Sequence, residues 1–140
     1  SAGDRDRDKR PVMGAIAARA ADVVIVTDDT PHSEDPAPIR AHILAGARAE
    51  ADRLAREEGR TVVIEEVADR AAAIRRAVEL AGPQDGILLA GRGHETTMDY
   101  DGELVPLDDR VALREALAAR VAAASASGSG PAREGKVIES

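Results

Sequence analysis

Four β-branched residues in a row, Val23–Val26, run through Thr27 straight into two acids, Asp28 and Asp29, and a Thr-Pro-His turn follows. A short continuous apolar run of this kind reads as a strand buried on both faces, and the acids mark where it leaves its sheet. In open α/β sheets the ligand crevice lies outside the carboxyl ends of the strands. The stretch 23–34 (VVIVTDDTPHSE) is therefore read as the floor of a polar binding site.

The flanking patterns extend this unit. Pro11 suits the first turn of a helix, and Met13, Ile16, Ala17 and Ala20 recur at helical spacing over 11–21. After the strand at 22–27, Ser33 or Asp35 can cap a second helix with Pro36 in its first turn. Its stripe of Ile39, Ile43, Leu44, Ala47, Ala51 and Leu54 runs to about Glu58, where Gly59 stops it. Thr61–Glu66 (TVVIEE) is a second strand. Asp69 caps a third helix with Ala73, Ile74, Ala77, Val78 and Leu80 on its apolar side, ended by Gly82-Pro83. Gly86–Ala90 (GILLA) reads as a third buried strand, running into Gly91-Arg92-Gly93-His94-Glu95.

Beyond that loop, 96–107 has the pattern of a hairpin around Asp101-Gly102, a dipeptide favoured in tight turns. Asp108 or Asp109 caps a last helix carrying Val111, Leu113, Leu117 and Val121, and the Ser/Gly/Pro-rich stretch 122–140 is expected to be a flexible tail after a domain spanning 1–121. Alternating helices and strands predict an α/β fold whose mainly parallel sheet is flanked by helices through right-handed crossovers. In that topology the charged loop 3–10, the acids 28–29 and the loop 91–95 lie along one edge, so Arg5, Asp29 and Glu95 converge.

Composition removes several function classes. The net charge of −7 disfavours a nucleic-acid surface. One Tyr and no Phe or Trp leave almost nothing for a ligand to stack on, and the lack of Cys excludes disulfides and thiolate chemistry. No apolar run approaches the ~20 residues of a membrane span, so no membrane partner is expected and the cytoplasm is the expected location. Gly91-Arg92-Gly93 is not a dinucleotide fingerprint, and His94-Glu95 opens HExxM rather than the HExxH of zinc proteases. His94 reads better as a loop residue holding its neighbour. No phosphate-cradling GxxxxGK[ST] occurs. Asp28–Asp29 could hold Mg²⁺ as in a receiver-type signalling module, or serve only as turn and cap residues.

Three segments in order, GDRDRDKRPVMGAIAA, ADVVIVTDDTPHSEDPAPIRAHILAGA and LLAGRGHE, strongly resemble the C-terminal domain of the Mur ligases, of the MurE type. These enzymes add the third amino acid to UDP-N-acetylmuramoyl-L-alanyl-D-glutamate in peptidoglycan synthesis. The resemblance spans about 3–120 and implies a Rossmann-like domain that binds the incoming amino acid, while a separate central domain holds ATP and Mg²⁺. It also implies that the first strands of the family domain are missing and that this chain alone is inactive, with no catalytic residue and no metal site of its own.

Residue by residue, the resemblance implies that Arg5 pairs with the α-carboxylate of the amino acid, for which a guanidinium fork is suited. Gly91, through its carbonyl, and Glu95 hold the distal amine, Asp29 adds negative charge there, and Asp4 and Asp6 face the nucleotide or its metal. Enzymes of the family that add meso-diaminopimelate resemble DNPR at the motif read here as Asp29-Thr30-Pro31-His32. Thr30 and His32 stand where Asn and Arg clamp the second carboxylate, and a neutral imidazole is a poor clamp. The sequence therefore favours L-lysine, with L-ornithine or meso-diaminopimelate as alternatives; His32 as a surface turn residue indifferent to substrate is the other reading.

Overall fold

The computed structural model describes residues 3–127. Eight elements follow in order: α1 (Lys9–Ala20), β1 (Val23–Val26), α2 (Pro36–Glu58), β2 (Val63–Glu66), α3 (Arg70–Leu80), β3 (Thr97–Tyr100), β4 (Glu103–Pro106) and α4 (Asp109–Ala126). β1 and β2 are parallel, in register from Val23 opposite Val63 to Val26 opposite Glu66. The fold is α/β, as expected.

All four residues of β1 are buried, and their side chains divide by the period-two rule of a strand. Val24 and Val26 pack with Ala18 of α1 and with Ile39, Ile43, Leu44 and Leu54 of α2. Val23 and Ile25 point the other way, onto Ala73, Ala77 and Ala81 at α3. α4 then covers the outer side of α3 through Ala116 against Ile74 and Val78. A strand sandwiched between helix layers has no wet face, which is why its sequence does not alternate.

The helix ends follow local chemistry. Asp35 accepts from Ala37 N–H at 2.9 Å and caps α2, while Gly59 closes it with φ +63°. Asp69 caps α3 through Ala72 N–H, and Asp108 caps α4 through Arg110 N–H, both at 2.9 Å. α1 packs differently from its expected stripe: Arg10, Gly14 and Ala18 face inward, while Met13 and Ile16 are exposed. Gly14 and Gly46 explain this. A Cβ on Gly14 would collide with the Ile43 carbonyl, and one on Gly46 with that of Pro11, so the two backbones touch directly. The expected end of α4 at Val121 also shifts, because the alanines that follow are strong helix formers and carry it to Ala126. The rest of the expected tail, 128–140, lies outside the described residues.

The expected third strand is the main correction. Residues 86–90 form no ladder with any described residue. An apolar slot of about 160 Å³ is lined by Val24, Ile25 and Val26 on one side and by Leu89 and Ala90 on the other. It takes in residues of α1, α2 and α3 but none of β2, so it lies along the edge of β1 away from β2. GILLA has the composition of a strand; a strand also needs a hydrogen-bonding neighbour, and here the slot intervenes. No helix among the described residues is long and apolar enough to cross a membrane.

Candidate functional site

Loop 3–8 is fastened to the turn after β1 by its backbone. Gly3 N–H donates to Thr30 O at 2.8 Å and Asp4 N–H to Glu34 Oε1 at 2.7 Å. Asp4, at φ +54°, accepts the Ser33 hydroxyl at 2.8 and 2.9 Å. Arg10, fully buried at the start of α1, grips both Glu34 oxygens at 3.1 and 2.9 Å. Arg10 holds the Glu34 carboxyl below its ordinary range, aided by the Asp4 amide and Arg7 against the opposing effect of burial.

The same turn is fastened on its other side to the hairpin. His32 N–H donates to Asp99 O at 3.0 Å and Asp101 N–H to His32 O at 2.6 Å. The His32 ring meets Asp99 Oδ2 through Nδ1 at 3.1 Å, and Gly102 N–H donates to Asp99 Oδ1 at 2.7 Å. The Gly102 amide first and His32 second hold the Asp99 carboxyl below its ordinary range. Asp101 and Gly102, at φ +54° and +87°, make the two-residue turn that their dipeptide predicts.

Beneath these loops lies a buried charge cluster that sequence reasoning missed. Arg70 donates to both oxygens of Asp109 at 2.8 and 2.7 Å, to Asp28 O at 3.1 Å and to Ala90 O at 3.0 Å. It thereby ties the end of β1 to the end of segment 86–90. Arg92, 2 % exposed, joins Asp109 at 3.3 Å and donates to Thr97 O and Leu107 O at 2.7 and 2.9 Å, holding the base of the hairpin. Arg92 is the middle of the Gly-rich turn, where the sequence shows only a loop.

These fastenings leave a cavity of about 710 Å³ between loop 3–9, the turn 29–32, loop 91–97 and β3. Arg5, Asp29, Thr30, His32, Gly91 and Glu95 all line it, with Asp6 beside them. Asp4 does not: its carboxylate is used on Ser33 inside the loop. Lys9, Met13, Thr96, Thr97 and Asp99 line it as well, and the sequence assigned none of them to the site. Lys9 falls within a charge run that reads as solvated; for Asp99 the only cue is its place two residues before Asp101-Gly102. His94 is exposed and lies outside the lining. Gly91 sits at φ +107°, and a Cβ there would lie 2.8 Å from Asp29 Oδ2, so backbone and carboxylate can meet only because the residue is glycine. Arg5 is exposed and has no ion-pair partner among the described residues. The cavity thus offers cations, Arg5 and Lys9, and carboxylates, Asp6, Asp29, Glu95 and Asp99, to a small zwitterion.

A comparison with family models decides the lineage. The model for the Mur ligase glutamate ligase domain matches residues 1–93. The chain belongs to the Mur ligase family. The UDP-N-acetylmuramoyl-L-alanyl-D-glutamate–2,6-diaminopimelate ligase of Corynebacterium efficiens is 52% identical to this Mur ligase domain over 115 residues, covering 82% of the chain and 21% of that protein. The enzyme of the same name from Bradyrhizobium diazoefficiens is 51% identical over 120 residues, covering 86% and 22%. A solved structure of a ligase of that name superposes with a TM-score of 0.69 at 35% identity, covering 86% of this chain and 23% of that one. The chain therefore spans about a fifth of the relatives it matches, and they place it as the C-terminal domain of the MurE type.

Two expectations change. The relatives carry 2,6-diaminopimelate in their names, so the lysine preference read from Thr30 and His32 finds no support among them. The receiver-type reading loses its footing, because Asp28 is committed to Arg40 and to the Tyr100 hydroxyl at 3.2 Å. Among the described residues no group of three or more His, Cys, Asp or Glu side chains could hold a metal ion.

Proposed function

We infer that this domain holds the incoming diamino acid in a MurE-type ligase, which joins it as the third residue to UDP-N-acetylmuramoyl-L-alanyl-D-glutamate. The observation that supports this reading is the gathering of Arg5, Asp29, Gly91 and Glu95 around one cavity of about 710 Å³, roomy enough for a diamino acid. Arg5, with Lys9 nearby, takes the α-carboxylate; Asp29, Glu95 and the Gly91 carbonyl take the distal ammonium. ATP and its Mg²⁺ are assigned to the rest of the ligase, and what this chain contributes is position. Fixing carboxylate and distal amine leaves the α-amine free and aimed, and orientation of that kind lowers a barrier without proton transfer.

The relatives' names support 2,6-diaminopimelate as the amino acid. A second reading, L-lysine or L-ornithine, is favoured by one observation: position 32 has an imidazole engaged with Asp99 in place of a free guanidinium. Amide ligation by the full-length ligase, with the three amino acids in competition and ATP and Mg²⁺ supplied, tests both. Incorporation of any of them supports the domain's role, the preferred one chooses between the readings, and incorporation of none overturns both. The isolated chain is expected to ligate nothing.

A further inference from the structure

The His32–Asp99 pair settles which proton the imidazole carries. An ionised carboxylate can only accept, so the 3.1 Å contact between Asp99 Oδ2 and His32 Nδ1 requires the hydrogen on Nδ1. Asp99 is held in the ionised form by the Gly102 amide at its other oxygen. In the neutral ring Nε2 is then an acceptor, and among the described residues it has no partner. The backbone that carries the ring is itself held in place. His32 is bonded on both sides to β3 and the hairpin turn, through its N–H and its carbonyl, in a left-handed conformation at φ +53°.

We propose that Asp99 is a specificity-determining residue that acts through His32: by fixing the Nδ1–H tautomer it makes this wall of the cavity accept an ammonium and refuse a carboxylate. The proposal rests on the reading of the cavity as a diamino-acid site and names the ligand that suits it, a diamino acid with a single carboxylate. A second carboxylate placed at His32 would face the lone pair of Nε2 and the negative charge of Asp99.

The substitution Asp99→Asn reverses the arrangement at nearly constant shape. Gly102 N–H still requires an acceptor, so the amide oxygen stays at the Oδ1 position and the amide NH₂ turns toward His32. It then donates to Nδ1, the hydrogen moves to Nε2, and the ring presents a donor to the cavity.

Two measurements test this. Nitrogen NMR of the His32 ring in this chain, assigned by loss of the signal in His32→Gln and recorded with the ring neutral, should show Nδ1–H in the parent and Nε2–H in Asp99→Asn. In the full-length ligase, the ratio of kcat/KM for meso-diaminopimelate to that for L-lysine should rise roughly tenfold or more in Asp99→Asn, mainly through KM. Asp99→Ala, which frees the ring without reversing it, should move the ratio less. An Nε2–H ring in the parent, or a ratio unmoved by Asp99→Asn, overturns the assignment of Asp99 alone. A parent enzyme that uses neither amino acid overturns the reading of the cavity and this assignment with it.

Discussion

Arg10 and Glu34, 24 residues apart in the chain, meet through two hydrogen bonds of 3.1 and 2.9 Å, with the Arg10 side chain fully buried. Neither residue lines the cavity. Because Glu34 also accepts the Asp4 amide, the pair holds the loop that carries Arg5. Glu34→Gln should therefore weaken amino-acid binding several-fold, as measured by calorimetry, although it alters no residue of the lining.

The same pair predicts a pH dependence. The Glu34 carboxyl titrates below its ordinary value of 4.5 in the folded chain. A lowered carboxylate contributes stability that is present above the unfolded value and lost as pH falls through the folded one. Denaturant midpoints taken from neutral pH down through 4.5 should fall for the parent, and Glu34→Gln should lose less over the same range.

Arg5→Ala removes the guanidinium assigned to the α-carboxylate. Losing one charge-assisted pair costs about 1.5–3 kcal/mol, so KM for the amino acid should rise roughly ten- to a hundredfold in the full-length ligase. KM for ATP and for the UDP-linked acceptor should stay as they are. A collapse in ATP use instead would show that Arg5 faces the nucleotide.

Asp109→Ala leaves Arg70 and Arg92 buried without their shared carboxylate. Breaking a buried pair by removing one partner costs about 3–5 kcal/mol, so the thermal midpoint should fall sharply or the chain should fail to fold. Asp108→Ala, at the neighbouring residue, removes only the helix cap and an exposed pair with Arg110 and should cost about 1 kcal/mol. Comparing the two by chemical denaturation separates the cluster from the cap.

Tyr100 is the chain's one strong near-ultraviolet chromophore, since the sequence holds no Trp. Burial first, then the charge of Asp28, pushes its hydroxyl up to about 12. Tyrosinate absorbance should therefore appear near that pH in the folded chain and near 10 in denaturant. Because the folded value is raised, stability should be intact below pH 10 and fall as pH climbs toward 12. Asp28→Asn should bring the titration back toward 10.

Much of the site could be read from residue types and order. Arg5, Asp29, Gly91 and Glu95 were placed together by topology and by the family pattern, and the cavity contains all four. Asp99 could not be placed that way. On a two-residue hairpin it faces His32 only because the turn 30–34 happens to bond to β3, a contact between segments 67 residues apart. The lysine reading rested at that same point on the residue type of position 32 alone, without the relatives, whose names lend it no support, or the partner of the ring.

By itself, the sequence determined whatever depends on near neighbours: the buried run of β1, the cap Asp69, the short choices Ser33 or Asp35 and Asp108 or Asp109 for the other caps, and the Asp101-Gly102 turn. These are choices of backbone conformation, made within a few residues. Only the tertiary structure decided which of several acids Arg10, Arg70 and Arg92 would meet, which face α1 would bury, and that GILLA would lie beside β1 without pairing to it. Ion pairs and sheet ladders each need a second partner at hydrogen-bond distance, and packing, not residue type, puts one there.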